Sequence, residues 1–115
     1  MNKKQLLNAI DKYLFLNDKE KDILVYFILI CSELTAQFSI YTYMHIANIT
    51  RMSIKQAQRA ITSLKRKNII VEIENRYKNK IYQFNLQQLE NIIAYTEKEK
   101  LHNEIKMSKK CLKND

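Results

Sequence analysis

The amino-acid sequence predicts a mainly α-helical fold with a small β-hairpin and additional helices at both ends. Apolar residues recur at helical spacing in several stretches, whereas two short stretches alternate apolar and polar residues as strands do. Asparagine, threonine or serine stands directly before several of the helical stretches, where such residues cap helices. The chain has 115 residues, 46% of them hydrophobic and 28% charged, which suits a single globular domain.

The N-terminal part of the chain predicts two helices. Residues 1–16 form the first, because apolar side chains recur there at helical spacing. These side chains are Leu6, Leu7, Ile10, Tyr13 and Leu14. Asn17 and Glu20 have the spacing of a capping box, in which each side chain accepts from the other residue's backbone N–H, and they predict the start of the second helix. This helix carries the apolar residues 23–31 and continues through residues 32–34.

The central part predicts a short strand followed by two capped helices. Residues 38–41 alternate apolar and polar side chains over a short run, as an edge strand does. Thr42 is placed to cap a helix over residues 43–49. Ser53 is placed to cap a longer helix over residues 54–67.

A hairpin and a last helix complete the predicted order. Asn68 stands at the end of the longer helix, where the backbone is usually left-handed, and asparagine tolerates that conformation in a chain without glycine. The β-rich runs 69–74 and 81–86 flank a basic tip and predict a hairpin. Its apolar faces are Ile69, Val71 and Ile73 on the first strand and Tyr82, Phe84 and Leu86 on the second. Residues 87–110 return to helical spacing, and residues 111–115 form a tail.

The positive charge is concentrated in the middle of the chain. The formal net charge is +8, and residues 39–87 hold nine basic and two acidic residues, a net charge of +7. Residues 1–38 are balanced, and residues 88–115 carry +1. A localised basic region indicates a polyanionic partner, most commonly nucleic acid, whereas lysines that only aid solubility would be spread more evenly.

The helix over residues 54–67 has an apolar face and a basic face. The predicted buried side chains are Ala57, Ala60, Ile61 and Leu64. The opposite face carries Lys55, Arg59, Thr62 and Arg66, flanked by Gln56 and Gln58. Arg59 and Gln56 are expected to contact bases, because arginine pairs with guanine and glutamine with adenine. Ser53, Lys55 and Arg66 are expected nearer phosphates. The alternative is an ordinary solvated helix face.

The basic hairpin tip is the second candidate contact. It carries Arg76, Lys78 and Lys80, with Tyr77 between them. Cations at such a position suit the phosphate backbone or the minor groove of DNA. The alternative is that these residues only keep the tip soluble.

Residues 42–70 resemble the winged helix-turn-helix superfamily. Ile46 and Ala47 look like the packing pair of the first helix of that motif, and Ser53 looks like the cap of its recognition helix. The resemblance covers residues 20–86 and makes residues 17–86 a winged-helix core within one domain. The sequence departs from the superfamily pattern at Asn68, where most relatives carry glycine, and before Ser53, where glycine is also absent.

The resemblance implies binding of double-stranded DNA, with the recognition helix in the major groove and the hairpin, or wing, on the backbone. The chain is similar to multiple-antibiotic-resistance-type regulators and to plasmid or phage centromere-binding partition adaptors. A repressor and a partition adaptor are therefore both open. A replication-initiation domain and a winged-helix module for protein–protein interaction are the alternatives.

A homodimer is the expected assembly, because a single helix-turn-helix contacts too little DNA to be selective. The interface is predicted in residues 1–16, in residues 87–106 or in both, since these helices exceed what the central motif needs. A second protein of a segregation or regulatory system is left open as a further partner.

The sequence favours a non-enzymatic protein without a metal or cofactor. A chain without glycine has no P-loop, dinucleotide-binding turn or nucleophile elbow. Cys31 and Cys111 match no zinc or redox spacing, and His45 and His102 have no ligand partners near them in sequence. The apolar run over residues 23–31 is too short to span a membrane, and the N-terminus lacks a signal peptide, which predicts a cytoplasmic protein.

Overall fold

The computed structural model describes the backbone of residues 1–40, 42–76 and 79–113, and the side chains of residues 1–40, 42–74 and 80–102. In chain order its elements are α1 (Lys3–Lys12), α2 (Asp18–Ile30), β1 (Phe38–Ile40), α3 (Tyr43–Thr50), α4 (Ile54–Arg66), β2 (Ile70–Arg76), β3 (Asn79–Phe84) and α5 (Leu86–Lys113). The strands form an antiparallel sheet in the order β1-β3-β2. The predicted fold class is confirmed: a mainly helical chain with a hairpin wing and flanking helices.

The predicted helix starts are confirmed at α2, α3 and α4. Asn17 and Glu20 form a complete capping box at α2, with N–H···O distances of 2.8 and 3.1 Å. Thr42 Oγ1 accepts from the backbone N–H of His45 at the start of α3. Ser53 begins α4 through a second capping box. Each cap satisfies backbone donors that the first helical turn leaves without a partner.

Among the described residues, two adopt the left-handed conformation, one after α3 and one after α4. Arg51 follows α3 with φ of 57°, and Asn68 follows the cap of α4 with φ of 59°. The Asn68 N–H donates to the carbonyl of Lys65, and the Ile69 N–H donates to that of Leu64. The backbone thereby turns from α4 into β2, as the sequence predicted for Asn68.

The predicted ends of the N-terminal helices were wrong. Helix α1 ends at Lys12 rather than at residue 16, because Tyr13 is extended, and Leu14 lies outside the helix with 76% of its surface exposed. Helix α2 ends at Ile30, and residues 32–34 are not helical. Cys31 is extended, and its carbonyl accepts a hydrogen bond from Lys3 Nζ of α1, so a contact between helices replaces another helical turn.

At the other end of the chain, α5 includes Leu86 and extends beyond the predicted limit of residue 110 to Lys113. Leu86 therefore belongs to this helix and not to the second strand of the hairpin.

The sheet is an uneven hairpin with β1 added at its edge. Tyr82 and Phe84 of β3 face the core as predicted, and they pair with Phe38 of β1 and Ile70 of β2 respectively. The predicted apolar face of β2 was in the wrong phase. Val71 and Ile73 are exposed, because Ile70 takes the inward position and the register shifts between Glu72 and Glu74. Tyr41, the last residue of the predicted first strand, lies outside the described residues.

One hydrophobic core joins the helices and the sheet. Within this core the Phe38 ring lies 4.8 Å from that of Phe27 and 4.9 Å from that of Phe84, between ring centroids. The buried side chains of α1 pack against α5, where Thr96 Oγ1 donates to the carbonyl of Ala9. This core fixes α4 against α2 and leaves one face of α4 outward.

Glu20 is the buried charged side chain that connects α2 to α4. Its exposure is 2%, yet Ser63 Oγ donates to its Oε2 at 2.7 Å and Lys67 Nζ donates to the same atom at 2.8 Å. Burial would raise the pKa of Glu20, but the hydrogen bonds from Lys67, Asn17 and Ser63 outweigh it and hold the pKa below its ordinary value. Glu20 is therefore ionised in the folded chain at neutral pH.

Replacing Glu20 with glutamine should lower the free energy of unfolding at neutral pH by about 1–3 kcal/mol, because charge-assisted hydrogen bonds are lost. The folded-state pKa of Glu20 lies below the ordinary 4.5, so its contribution is present above that pH and disappears as the pH falls through the lowered value. Urea unfolding at several pH values should show the gap between wild type and Glu20→Gln narrowing in acid. Exposed Glu90→Gln is the control, and a gap that stays constant into acid would contradict this account.

Replacing Asn68 with alanine should cost about 1 kcal/mol of unfolding free energy, because alanine tolerates a positive φ less well than asparagine does. Asn68→Gly should be neutral or stabilising, since glycine adopts that conformation readily. Thermal unfolding of both variants measures the difference, with Asn8→Ala in α1 as a helical control. Equal stability of the alanine and glycine variants would show that the left-handed backbone carries no cost there.

Candidate nucleic-acid interface

Helix α4 separates its apolar and polar side chains as the sequence predicted. Its buried residues are Ala57, Ala60, Ile61 and Leu64, each at most 4% exposed. The exposed side chains that follow the Ser53 cap are Lys55, Gln56, Gln58, Arg59, Thr62 and Arg66. We call Lys55, Arg59, Thr62 and Arg66 the basic face of α4. The buried side chains anchor the helix, so the basic face is held outward on a rigid element.

The cations of the basic face take part in no ion pair within the described part of the chain. No ion pair joins Lys55, Arg59 or Arg66 to an acidic side chain there. By contrast, Lys67 Nζ is bound to Glu20 and to the carbonyl of Phe15, at 2.8 and 3.0 Å. Lys65 Nζ lies 5.7 Å from the ring centroid of Tyr82. The structure thus divides the basic residues of this segment into internal contacts and cations that face solvent.

The Tyr82 ring that Lys65 contacts belongs to the hydrophobic core and not to the outer surface. Its side chain is fully buried, and its hydroxyl donates to Glu72 Oε1 at 3.5 Å. Burial, and next the nearby Glu72 carboxylate, raise the pKa of Tyr82 far above its ordinary value. The phenol therefore stays protonated, and it acts as a structural hydrogen-bond donor.

The side chains of Ser53 and Gln56 at the start of α4 are both hydrogen-bonded to the backbone of the capping box. Ser53 Oγ accepts from the backbone N–H of Gln56 at 3.1 Å, and Gln56 Oε1 accepts from the backbone N–H of Ser53 at 2.9 Å. Both residues are exposed beside the basic face, but their oxygen atoms already have partners.

The start of α2 lies beside the basic face. Lys19 lines a cavity of about 290 Å³ together with Gln56 and Arg59, and the buried Glu20 lies in the same wall. Sequence reasoning missed Lys19, because residues 1–38 have no net charge and Lys19 belongs to a helix outside the helix-turn-helix pair. The capping box at Asn17 was the available signal, since it fixes where α2 begins.

A second shallow cavity lies on the other side of Arg59. Its volume is about 350 Å³, and it is lined by Gln58, Arg59, Thr62, Ser63 and Arg66. Arginine, glutamine and threonine donors on one concave surface can hydrogen-bond base edges or phosphate oxygens.

The wing adds one described cation. Lys80 is half-buried, with Nζ 6.0 Å from the ring centroid of Tyr43 at the start of α3. Arg76 ends β2, and its side chain lies outside the described residues, as do Tyr77 and Lys78 of the predicted tip. Lys80 therefore connects β3 of the wing to the N-terminal end of α3.

The cysteine and histidine side chains that the structure describes are Cys31, His45 and His102. Cys31 is buried, and burial raises the pKa of its thiol. Both His45 and His102 are exposed. Across the side chains that are described, no group of three or more His, Cys, Asp or Glu could hold a metal ion. Cys111 lies outside the described side chains.

The described helices include none that is long and apolar enough to cross a membrane. A groove of about 570 Å³ lies away from α4, between α1, α2 and the end of α3. Apolar side chains of Leu7, Val25 and Tyr26 line it, with Asp11 and Asp22 among them.

Comparison with known proteins leaves the chain without an assigned family. No family model and no curated protein matches it. Among solved structures, the chain is similar to a fragment, residues 1–100, of a possible transcriptional regulatory protein from Mycobacterium bovis. The TM-score is 0.48 and the sequence identity 15%, over 80% of this chain and 87% of that one.

Proposed function

We propose that this chain binds double-stranded DNA in a sequence-specific manner, as a homodimer that places α4 in the major groove. The observation that carries the proposal is the basic face: three cations on a rigidly anchored helix, free of ion pairs within the described residues. Such a face has the dimensions and charge that the major groove admits.

The contacts divide by chemistry. Arg59 lies centrally on the basic face, where a guanidinium can donate two parallel hydrogen bonds to guanine. Lys55 and Arg66 lie at either end of that face and suit phosphate oxygens, as does Lys19 at the start of α2. Thr62 lies between Arg59 and Arg66 and can contact either a base edge or a phosphate.

The wing supplies a second contact in this proposal. Arg76, Lys78 and Lys80 belong to its tip and would lie along the phosphate backbone or enter the adjacent minor groove. Support comes from the hairpin itself, since Arg76 ends β2 and Lys80 lies near the start of β3.

An apolar surface near the end of α1 supports the homodimer. Leu14 and Phe15 are 76% and 62% exposed, and the Phe15 ring packs edge-on against Tyr13 and Tyr95 at centroid distances of 5.5 and 5.3 Å. Exposed aromatic and aliphatic side chains held in one cluster are typical of protein–protein interfaces. Leu101, further along α5, is 58% exposed.

The biological role that we propose is that of a small cytoplasmic transcription regulator, in particular a repressor, or a plasmid or phage partition adaptor that also binds a second protein. A footprint on the DNA flanking its own gene, at about 0.15 M salt with competitor DNA, tests this role because non-specific binding is weak there. Protection of one inverted repeat over the promoter would support a repressor. Protection of an array of direct repeats would support partition, or a replication complex. Absence of protection would favour a protein–protein interaction module.

Arg59→Ala should weaken binding to the specific site by about 1–3 kcal/mol and relax base preference, because a bidentate base contact is lost. Arg59→Lys is the matched control: it keeps the charge and loses the planar pair of donors, so non-specific binding should be retained and preference reduced. Titration of both variants against specific and competitor duplexes measures the split. Unchanged specific binding by Arg59→Ala would refute the groove assignment.

Arg66→Ala should reduce the slope of log affinity against log salt by about 0.9, the value for one lost phosphate contact. Lys67→Ala should leave that slope unchanged and instead lower the unfolding free energy, because Lys67 is bound to Glu20. Binding across a salt series, with thermal unfolding of the same samples, separates the two effects. If the neighbouring lysine changed the slope as much as Arg66, the internal role of Lys67 would be wrong.

Leu14→Glu should convert the dimer to a monomer, because it places a charge in the proposed apolar interface. Leu29→Glu is the control, since Leu29 is 63% exposed on α2, away from the aromatic cluster. Sedimentation at micromolar concentration reports the mass of each protein. A monomeric wild type would remove the homodimer from the proposal.

A further inference from the structure

Gln56 and Gln58 lie on opposite flanks of the basic face and have different surroundings. With about 100° per residue, their side chains leave α4 roughly 160° apart. Gln56 lies on the side of α2 and lines the cavity that contains Lys19, Glu20 and also Arg59. Gln58 lies on the other side and lines the cavity formed with Arg59, Thr62 and Arg66. Arg59 lines both cavities, whereas Thr62 and Arg66 of the basic face line only the cavity of Gln58.

The capping box restricts what Gln56 can do. To pair with adenine, a glutamine amide must extend from the helix, accept from the base with its oxygen and donate with its nitrogen. Gln56 Oε1 instead accepts from the Ser53 backbone N–H at 2.9 Å, which keeps the amide folded back on the first turn. Extending Gln56 toward a base would break the capping box and leave that N–H without its partner.

Gln58 has no such restriction in the structure. Its side chain is exposed, and no hydrogen bond to it is present among the described residues. Its neighbour in the cavity, Arg59, is the central cation of the basic face. A glutamine and an arginine side by side can read an adenine and a nearby guanine.

Building on the proposed function, we infer that Gln58 and Arg59 determine the base preference of α4, whereas Gln56 is a positioning residue that holds its first turn. The preferred DNA then contains an adenine whose recognition depends on Gln58. Gln56 affects every duplex alike, because it acts through the conformation of the helix start.

A selection from a random-sequence duplex library with the wild-type chain supplies the probe: the selected duplex and its single-base variants. Gln58→Ala should lose about 5- to 150-fold discrimination at one A·T pair. Gln56→Ala should weaken binding to all duplexes by one common factor and lower the Tm by about 4 °C, because the hydrogen bond from the Ser53 backbone N–H to the Gln56 side chain is lost. Gln56→Glu should restore the Tm, since glutamate completes a capping box equally well, and should leave the base preference unchanged.

The outcomes separate this inference from the function on which it rests. If Gln56→Ala loses discrimination at a single base pair while Gln58→Ala keeps the full preference, the division of roles is wrong and DNA binding stands. If both variants lose discrimination at particular positions, the positioning role of Gln56 is likewise wrong. If the wild type selects no sequence from the library, the proposed function and this inference both fail.

Discussion

The carboxylate of Glu20 fixes the relation between α2 and α4, on which the candidate interface depends. It completes the cap of α2 through Asn17 and accepts hydrogen bonds from Ser63 and Lys67 near the end of α4. A buried charge is tolerated in a protein only when hydrogen bonds and an opposite charge replace its water. All of these partners meet at one side chain, so the two helices are held in one orientation. Together with the buried apolar side chains of α4, these hydrogen bonds hold the helix with its basic face outward.

Much of the fold could be predicted from the sequence, because its main signals are local. The starts of α2, α3 and α4 follow from Asn17, Thr42 and Ser53, which bond backbone groups three residues away. The early ends of α1 and α2 depend on contacts between distant residues, such as the bond from Lys3 to the Cys31 carbonyl, and local spacing does not contain that information. The inverted face of β2 has a similar origin, since a register shift within a strand arises from its pairing partner.

The candidate site was predictable as a face but not as a set of contacts. Helical spacing separated the exposed cations from the buried apolar side chains of α4, and the structure agrees. The sequence could not show that Lys67 is held by Glu20, that Gln56 is held by Ser53, or that Lys19 of another helix borders the face. Each of these facts depends on the residue that the side chain contacts in the folded chain. Net charge does not distinguish a cation that is paired inside the protein from one that is exposed to a polyanion.

The most direct test of the account is an NMR titration of the isotope-labelled chain with duplex DNA, following the backbone amide shifts. The account predicts that the largest changes lie along α4 and the wing, with smaller changes at the start of α2 near Lys19. It also predicts little change in the groove between α1, α2 and the end of α3. Changes that concentrate in that groove, with α4 unaffected, would contradict the central claim that the basic face of α4 binds DNA.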